Sequence, residues 1–191
     1  MRRPGETPSQ TVGPYFHLGL AAPGERVLAG PDVPGRRIRI EGQVLDGDRR
    51  PVEDALLELW QANAAGRYRH PLDDREELPL DEGFLGYGRC STDFRTGLYA
   101  FETIAPGRVP HPDGGLQAPH LSLVVQARGM LLPSFTRIYL GDEAEANATD
   151  PLLAALPPER AATLIAAPVS PGTYRFDVRF QGDDETVFLD V

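Results

Sequence analysis

The sequence predicts a mainly β protein: an antiparallel β-sandwich with an irregular N-terminal arm and one or two short helices near residues 150–166. Three observations carry that expectation. Short segments alternate apolar and polar residues with a period of two, turns rich in Gly, Pro and Asp separate them, and a single stretch has helical character. The 191 residues suit one domain, with 41% hydrophobic and 25% charged residues, and 20 Gly plus 19 Pro fall below the level of disordered chains.

Residues 1–36 carry six prolines and no sustained period. This arm is expected to be held by packing on the body or on a partner subunit, with residues 37–191 forming the sandwich domain. From Arg37 the chain alternates, with Arg37, Arg39, Glu41 and Gln43 on one side and Ile38, Ile40, Gly42 and Val44 on the other. That is a half-buried strand, closed by the turn Asp46-Gly47-Asp48. Further strands are expected at Ala55 to Trp60, Gly97 to Phe101, His120 to Arg128, Phe135 to Leu140, Thr173 to Gln181 and Glu185 to Val191. The clearest is the sixth of these seven, where Tyr174, Phe176, Val178 and Phe180 face inward and Arg175, Asp177 and Arg179 outward. Helical character is confined to Asp150 to Ala166, with Pro151 and the Pro157-Pro158 pair at first-turn positions.

The formal charge is −9 and the isoelectric point about 4.9. Such a surface argues against non-specific binding to nucleic acid or anionic membranes, both of which need basic patches. All 19 basic residues are arginine. The absence of lysine removes Schiff-base chemistry and the phosphate-binding lysine of P-loop enzymes. One cysteine, Cys90, can form neither an internal disulfide nor a thiolate cluster. The first residues hold no apolar signal-like core, and no run approaches a membrane span, so a soluble, cytoplasmic protein is expected.

Four histidines, His17, His70, His111 and His120, are scattered without an HxH, HExxH, GxSxG, GxGxxG or CxxC pattern. Taken singly, each suits a surface or hydrogen-bonding role better than a catalytic one.

Three stretches change that reading: Thr7-Pro8-Ser9-Gln10-Thr11-Val12-Gly13-Pro14-Tyr15-Phe16, Leu59-Trp60-Gln61-Ala62-Asn63-Ala64-Ala65-Gly66-Arg67-Tyr68, and Tyr174-Arg175-Phe176-Asp177-Val178. Together they resemble the intradiol ring-cleavage dioxygenases, over nearly the whole chain. The resemblance implies an iron-dependent family in which two tyrosines and two histidines hold a non-haem ferric ion, a hard cation suited to phenolate oxygen. On these motifs Tyr68 matches the first tyrosine, whereas Pro106-Gly107-Arg108 leads into Val109 where the second is expected. The HxH pair becomes His120-Leu121-Ser122, and Gln117 replaces an arginine of the catalytic members.

Half of the ligand set is therefore missing. Tyr68 and His120 read as remnant ligand positions, Val109 and Ser122 as lost ones, and no metal or catalytic residue is assigned to this chain. The resemblance implies a non-iron α-type subunit in a hetero-oligomer with a homologous catalytic β subunit, which would carry the Fe(III). An aromatic diol carboxylate and O2 would meet at the shared site. To its entrance this chain is expected to contribute Thr11, Gly13, Pro14, Tyr15 and Arg128, the arginine because its fork pairs with a carboxylate. Two alternatives stand beside this: a non-enzymatic sandwich module, and a self-sufficient dioxygenase that recruits Tyr87, Tyr99 or His111 as shifted ligands.

Overall fold

The structure, a computed structural model, describes residues 7–11, 13, 15, 19–22 and 24–190. Nine strands dominate: β1 Arg37–Leu45, β2 Leu56–Trp60, β3 Tyr87–Ser91, β4 Leu98–Ile104, β5 His120–Gln126, β6 Ser134–Leu140, β7 Ile165–Ser170, β8 Thr173–Arg175 and β9 Val178–Arg179. Short helices α1 Ala144–Asn147, α2 Pro151–Ala155 and α3 Pro158–Ala161 follow β6, and a 3-10 turn Ala162–Leu164 leads into β7.

The hydrogen-bonded order is β3-β2-β5-β6-β7-β8-β1-β4, with β9 also on β1. Within it β3, β2, β5 and β6 form one antiparallel layer, and β8, β1 and β4 belong to the other. Strand β7 joins the two. Its first residues lie parallel to β6 through Tyr139↔Ile165, and its last lie antiparallel to β8 through Ala167↔Arg175. The expected sandwich is thus present, with three parallel pairings, β6–β7, β1–β8 and β1–β9, among its antiparallel ladders.

Period-two patterning builds the core. In β1, Ile38, Ile40 and Val44 are buried; in β2, Leu57 and Leu59; in β5, Leu121, Leu123 and Val125. They meet with Tyr99, Phe101, Ile138, Leu140, Tyr174, Phe176 and Val178 in one cluster drawn from both layers. Burying such side chains stabilises the fold by about 1.5–3 kcal/mol each. A one-residue slip in any of these strands would turn its apolar set to solvent.

Local differences from the sequence expectation have physical reasons. The helical stretch ends at Leu164, and Ile165 and Ala166 extend alongside Tyr139 and Leu140 instead. The expected strand Thr173 to Gln181 is split, because the Asp177 carboxylate accepts a hydrogen bond from the Gln43 amide at 2.9 Å and takes the place of a ladder partner. Of its inward set Tyr174, Phe176 and Val178 are buried, and Phe180 is partly buried against the same core. The Glu185 to Val191 segment makes one isolated bridge, Phe135↔Leu189, rather than a strand, and Val191 lies outside the described residues. Strand β3 has no alternating signature and forms as the partner of β2. Within the 1–36 stretch, residues 24–36 pack on the chain's own body: Val27 bridges Glu102, Ala29 bridges Phe84, and Leu28 is fully buried.

Candidate functional site

The outer face of the β2-β5-β6 layer carries the site. Since alternate residues share a face, the buried Leu57, Leu59, Leu121 and Leu123 leave Glu58, Trp60, His120 and Ser122 on the opposite side. The register then aligns Trp60 with Ser122 and Ser122 with Arg137, so one lateral row crosses three strands. The neighbouring row sets His120 beside Tyr139. This floor opens into a cavity of about 580 Å³ that is lined further by Tyr68, His70, Leu72, Asp73, Asp74, Arg75, Val109, Pro110 and Gln117.

Two loops wall the cavity, and Asn63 ties them together. Its side-chain oxygen accepts from the amides of Ala65 (3.1 Å) and Arg67 (2.9 Å), while its amide group donates to Pro79 O and Asp81, both at 2.8 Å. Its carbonyl receives the Gly107 amide at 2.8 Å. The contact is so close that neither glycine tolerates a side chain: a Cβ on Gly66, at φ +83°, would lie 2.1 Å from Arg108 O, and one on Gly107 2.5 Å from Gly66 N. Tyr68, two residues past Gly66, and Val109, two past Gly107, thereby reach the same cavity.

The Tyr68 ring stacks on Trp60, with centroids 5.9 Å apart and planes 6° from parallel. Burial raises its phenol above the ordinary tyrosine value, against the opposing charges of Arg137 and Arg75. Its backbone amide donates to Asp73 at 2.8 Å, and Asp73 pairs with Arg75 at 2.5 Å. The hydrogen bonds from Arg75 hold the Asp73 carboxyl at about 2. His120 is 4% exposed, and its Nδ1 donates to Ala118 O at 2.9 Å. Burial first and the charge of Arg137 second lower its pKa to about 4, so the imidazole is neutral at physiological pH.

Arg137 itself is only partly satisfied. Its Nη1 donates to Gln117 Oε1 at 2.7 Å and to the Tyr139 hydroxyl at 3.4 Å, both neutral acceptors. Asp150, the nearest buried carboxylate to that hydroxyl at 3.0 Å, is engaged by the Ala118 amide and by the first turn of α2.

The four positions read from the sequence as the family's ligand sites, Tyr68, Val109, His120 and Ser122, line this one cavity together with Gln117. The donor set does not suit a ferric ion. It offers one phenol, one imidazole, a valine without a donor atom and a hydroxyl in place of two phenols and two imidazoles. Tyr87, Tyr99 and His111 do not line the cavity. Tyr87 donates to Glu58, Tyr99 is buried on Phe176 O, and the His111 ring accepts the Asp113 amide.

The expected entrance residues lie elsewhere on the surface. Thr11 Oγ1 accepts the Gly129 amide at 2.7 Å, which joins the arm to the turn that carries Arg128. Arg128, its side chain 71% exposed, pairs with Asp54 at 3.2 Å. Tyr15 is 84% exposed, Gly13 has no neighbour that an added Cβ would meet, and Pro14 lies outside the described residues, as does His17. Sequence reasoning overlooked Arg137, Trp60 and His70 as cavity residues. Pairing Phe135 to Leu140 with His120 to Arg128 would have set Arg137 on the outer face beside Ser122. A larger groove, about 820 Å³, lies against β1 and β4, but its Arg39 and Arg175 are paired with Glu41, Glu102 and Asp177.

A family model described as Dioxygenase matches residues 12–182. The protocatechuate 3,4-dioxygenase alpha chains of Burkholderia cepacia and Pseudomonas putida are each 43% identical to this chain over 97% of its length, covering 98% and 96% of their own. The beta chain of the Burkholderia cepacia enzyme is 40% identical over 80% of this chain and 67% of its own length. Among solved structures, the dioxygenase domain of a Streptomyces sp. SirexAA-E fusion protein superposes with a TM-score of 0.59 at 22% identity, covering 95% of this chain and 100% of that one. The 3-chlorocatechol 1,2-dioxygenase of Rhodococcus opacus 1CP gives a TM-score of 0.59 at 22% identity over 80% of this chain and 63% of that one, a likeness of fold.

Proposed function

The chain belongs to the intradiol ring-cleavage dioxygenases, and from that premise we propose that it is the α-type, non-iron subunit of a protocatechuate 3,4-dioxygenase. The family typically uses non-haem Fe(III). In the proposed complex both atoms of O2 enter 3,4-dihydroxybenzoate and the ring opens between the hydroxylated carbons to give 3-carboxy-cis,cis-muconate. A homologous β-type chain holds the iron, in keeping with the similarity of this chain to both alpha and beta relatives. This chain builds the interface and part of the entrance.

One observation carries the division of labour: Val109 and Ser122 face the same cavity as Tyr68 and His120, with Arg137 in it as well. A trivalent cation would find one phenol and one imidazole there, since the valine carries no donor atom and a serine hydroxyl is a poor substitute for imidazole, which leaves half of the family's ligand set empty. The entrance reading is supported by the bond of Thr11 to the Gly129 amide, next to Arg128, whose guanidinium is 71% exposed and open to a substrate carboxylate beside its pairing with the largely buried Asp54. No helix among the described residues is long and apolar enough to cross a membrane.

The test is direct. Purified alone, the chain is expected to be colourless, to hold iron far below one equivalent and to leave 3,4-dihydroxybenzoate unchanged; with its β-type partner, the ring-cleavage activity and the phenolate-to-iron colour appear together. A stoichiometric coloured centre in the isolated chain would overturn the assignment.

A further inference from the structure

We propose that the cavity over β2, β5 and β6 is a metal-free binding site for a small aromatic carboxylate, whose anionic group sits on Arg137 and whose ring lies against Trp60 and Tyr68. The inference goes beyond the subunit assignment, since binding here calls for neither iron nor a partner chain.

Four features point to it. Arg137 is half-buried between this cavity and an adjoining one lined by Pro151 and Asp190, and its bonds go to neutral acceptors on one nitrogen alone, Nη1. No carboxylate among the described residues pairs with it, and its Nε and Nη2 are bonded to none of them, whereas nearby Arg75 is engaged by Asp73. Two donors of its planar fork thus keep no partner among the described residues, and such a fork can grip a carboxylate through both oxygens. Gln117, by accepting from Nη1, fixes the plane of that fork. The walls are apolar and aromatic: Trp60 stacked on Tyr68, with Leu72, Val109 and Pro110. A volume of about 580 Å³ admits a benzoate-sized molecule with room for water.

The same features select within the class of anions. A single guanidinium matches one negative charge, and the aromatic walls reward an apolar body, so inorganic phosphate is a poorer match than benzoate. Asp74 at the exposed rim disfavours a second negative charge. The floor offers a diol only Ser122 and His120. Ring hydroxyls therefore add little, and benzoate and 3,4-dihydroxybenzoate should bind alike.

Trp60 is the chain's single tryptophan and lines the cavity, so its fluorescence reports occupancy directly. Titration of the full-length chain with benzoate is expected to change the emission saturably, with half-saturation at or below about 1 mM. Benzamide, the neutral isostere, should bind at least about tenfold more weakly, as should benzoate to Arg137→Gln, while Arg137→Lys recovers part of the loss. 3,4-Dihydroxybenzoate should fall within about threefold of benzoate, the threefold being under 1 kcal/mol at RT near 0.6 kcal/mol. In the assembled complex, 19F line broadening of 4-fluorobenzoate that differs between wild type and R137Q separates this site from the partner's. No saturable change with benzoate up to about 20 mM, equal binding of benzamide, or binding of phosphate alone would overturn the proposal. The benzamide comparison uses the wild-type chain and so stands even if R137Q fails to fold.

Discussion

The charge state of one side chain, His120, makes the cavity floor sensitive to acid. Its folded-state pKa near 4 lies below the ordinary value near 6.5, chiefly because burial disfavours the imidazolium. The unfolded chain takes up the proton first as pH falls, so the protein keeps full stability above about pH 6.5 and loses it between there and pH 4, by a total of about 3 kcal/mol. Urea unfolding at pH 7 and pH 4.5 checks this: the wild type should lose about 2 kcal/mol more than His120→Gln over that interval. Residue roles were unevenly legible from the sequence. Tyr68, Val109, His120 and Ser122 could be placed by motif, and they share one cavity. Arg137 could not, because it sits mid-strand among ordinary neighbours and acquires meaning only once the Ser122↔Arg137 register is known.

At the scale of elements, the two loops that wall the cavity depend on a backbone contact that admits no side chain. Gly66→Ala adds a Cβ at 2.1 Å from Arg108 O on top of an unfavourable φ of +83°, so it should destabilise by about 3 kcal/mol and disturb Tyr68 and Val109 together. Gly114→Ala is the control. It carries φ +99° with nothing within 4 Å, and should cost only the conformational penalty of about 1–2 kcal/mol. Chemical denaturation of both variants separates steric conflict from backbone strain. Strands with clean alternation, β1 above all, were readable in advance, as were the prolines that open α2 and α3. Strand β7 was not: Ile165 and Ala166 continue a helix-forming composition, and only the free edges of β6 and β8 draw them into a strand. Nor was β3, whose Tyr-Gly-Arg-Cys-Ser has no period and pairs because β2 offers an edge.

For the whole molecule the weight falls on association. Arg128 is mostly exposed and held by one carboxylate, beside an arm residue, Thr11, and close in sequence to the exposed Leu131 and Leu132. In the assembled enzyme Arg128→Ala is expected to raise KM for 3,4-dihydroxybenzoate about tenfold while kcat changes less than about twofold, and Arg128→Lys should lie between, as steady-state kinetics will read out. An unchanged KM would confine Arg128 to its pairing with Asp54. A separate consequence follows from the parallel pairing of β1 with β8, in which Arg39 lies opposite Thr173. Strand β1 waits for a partner that lies far along the chain, so the growing polypeptide carries an unfinished edge until Thr173 to Arg175 are made, and in that interval the edge is open to strand exchange with other unfinished copies.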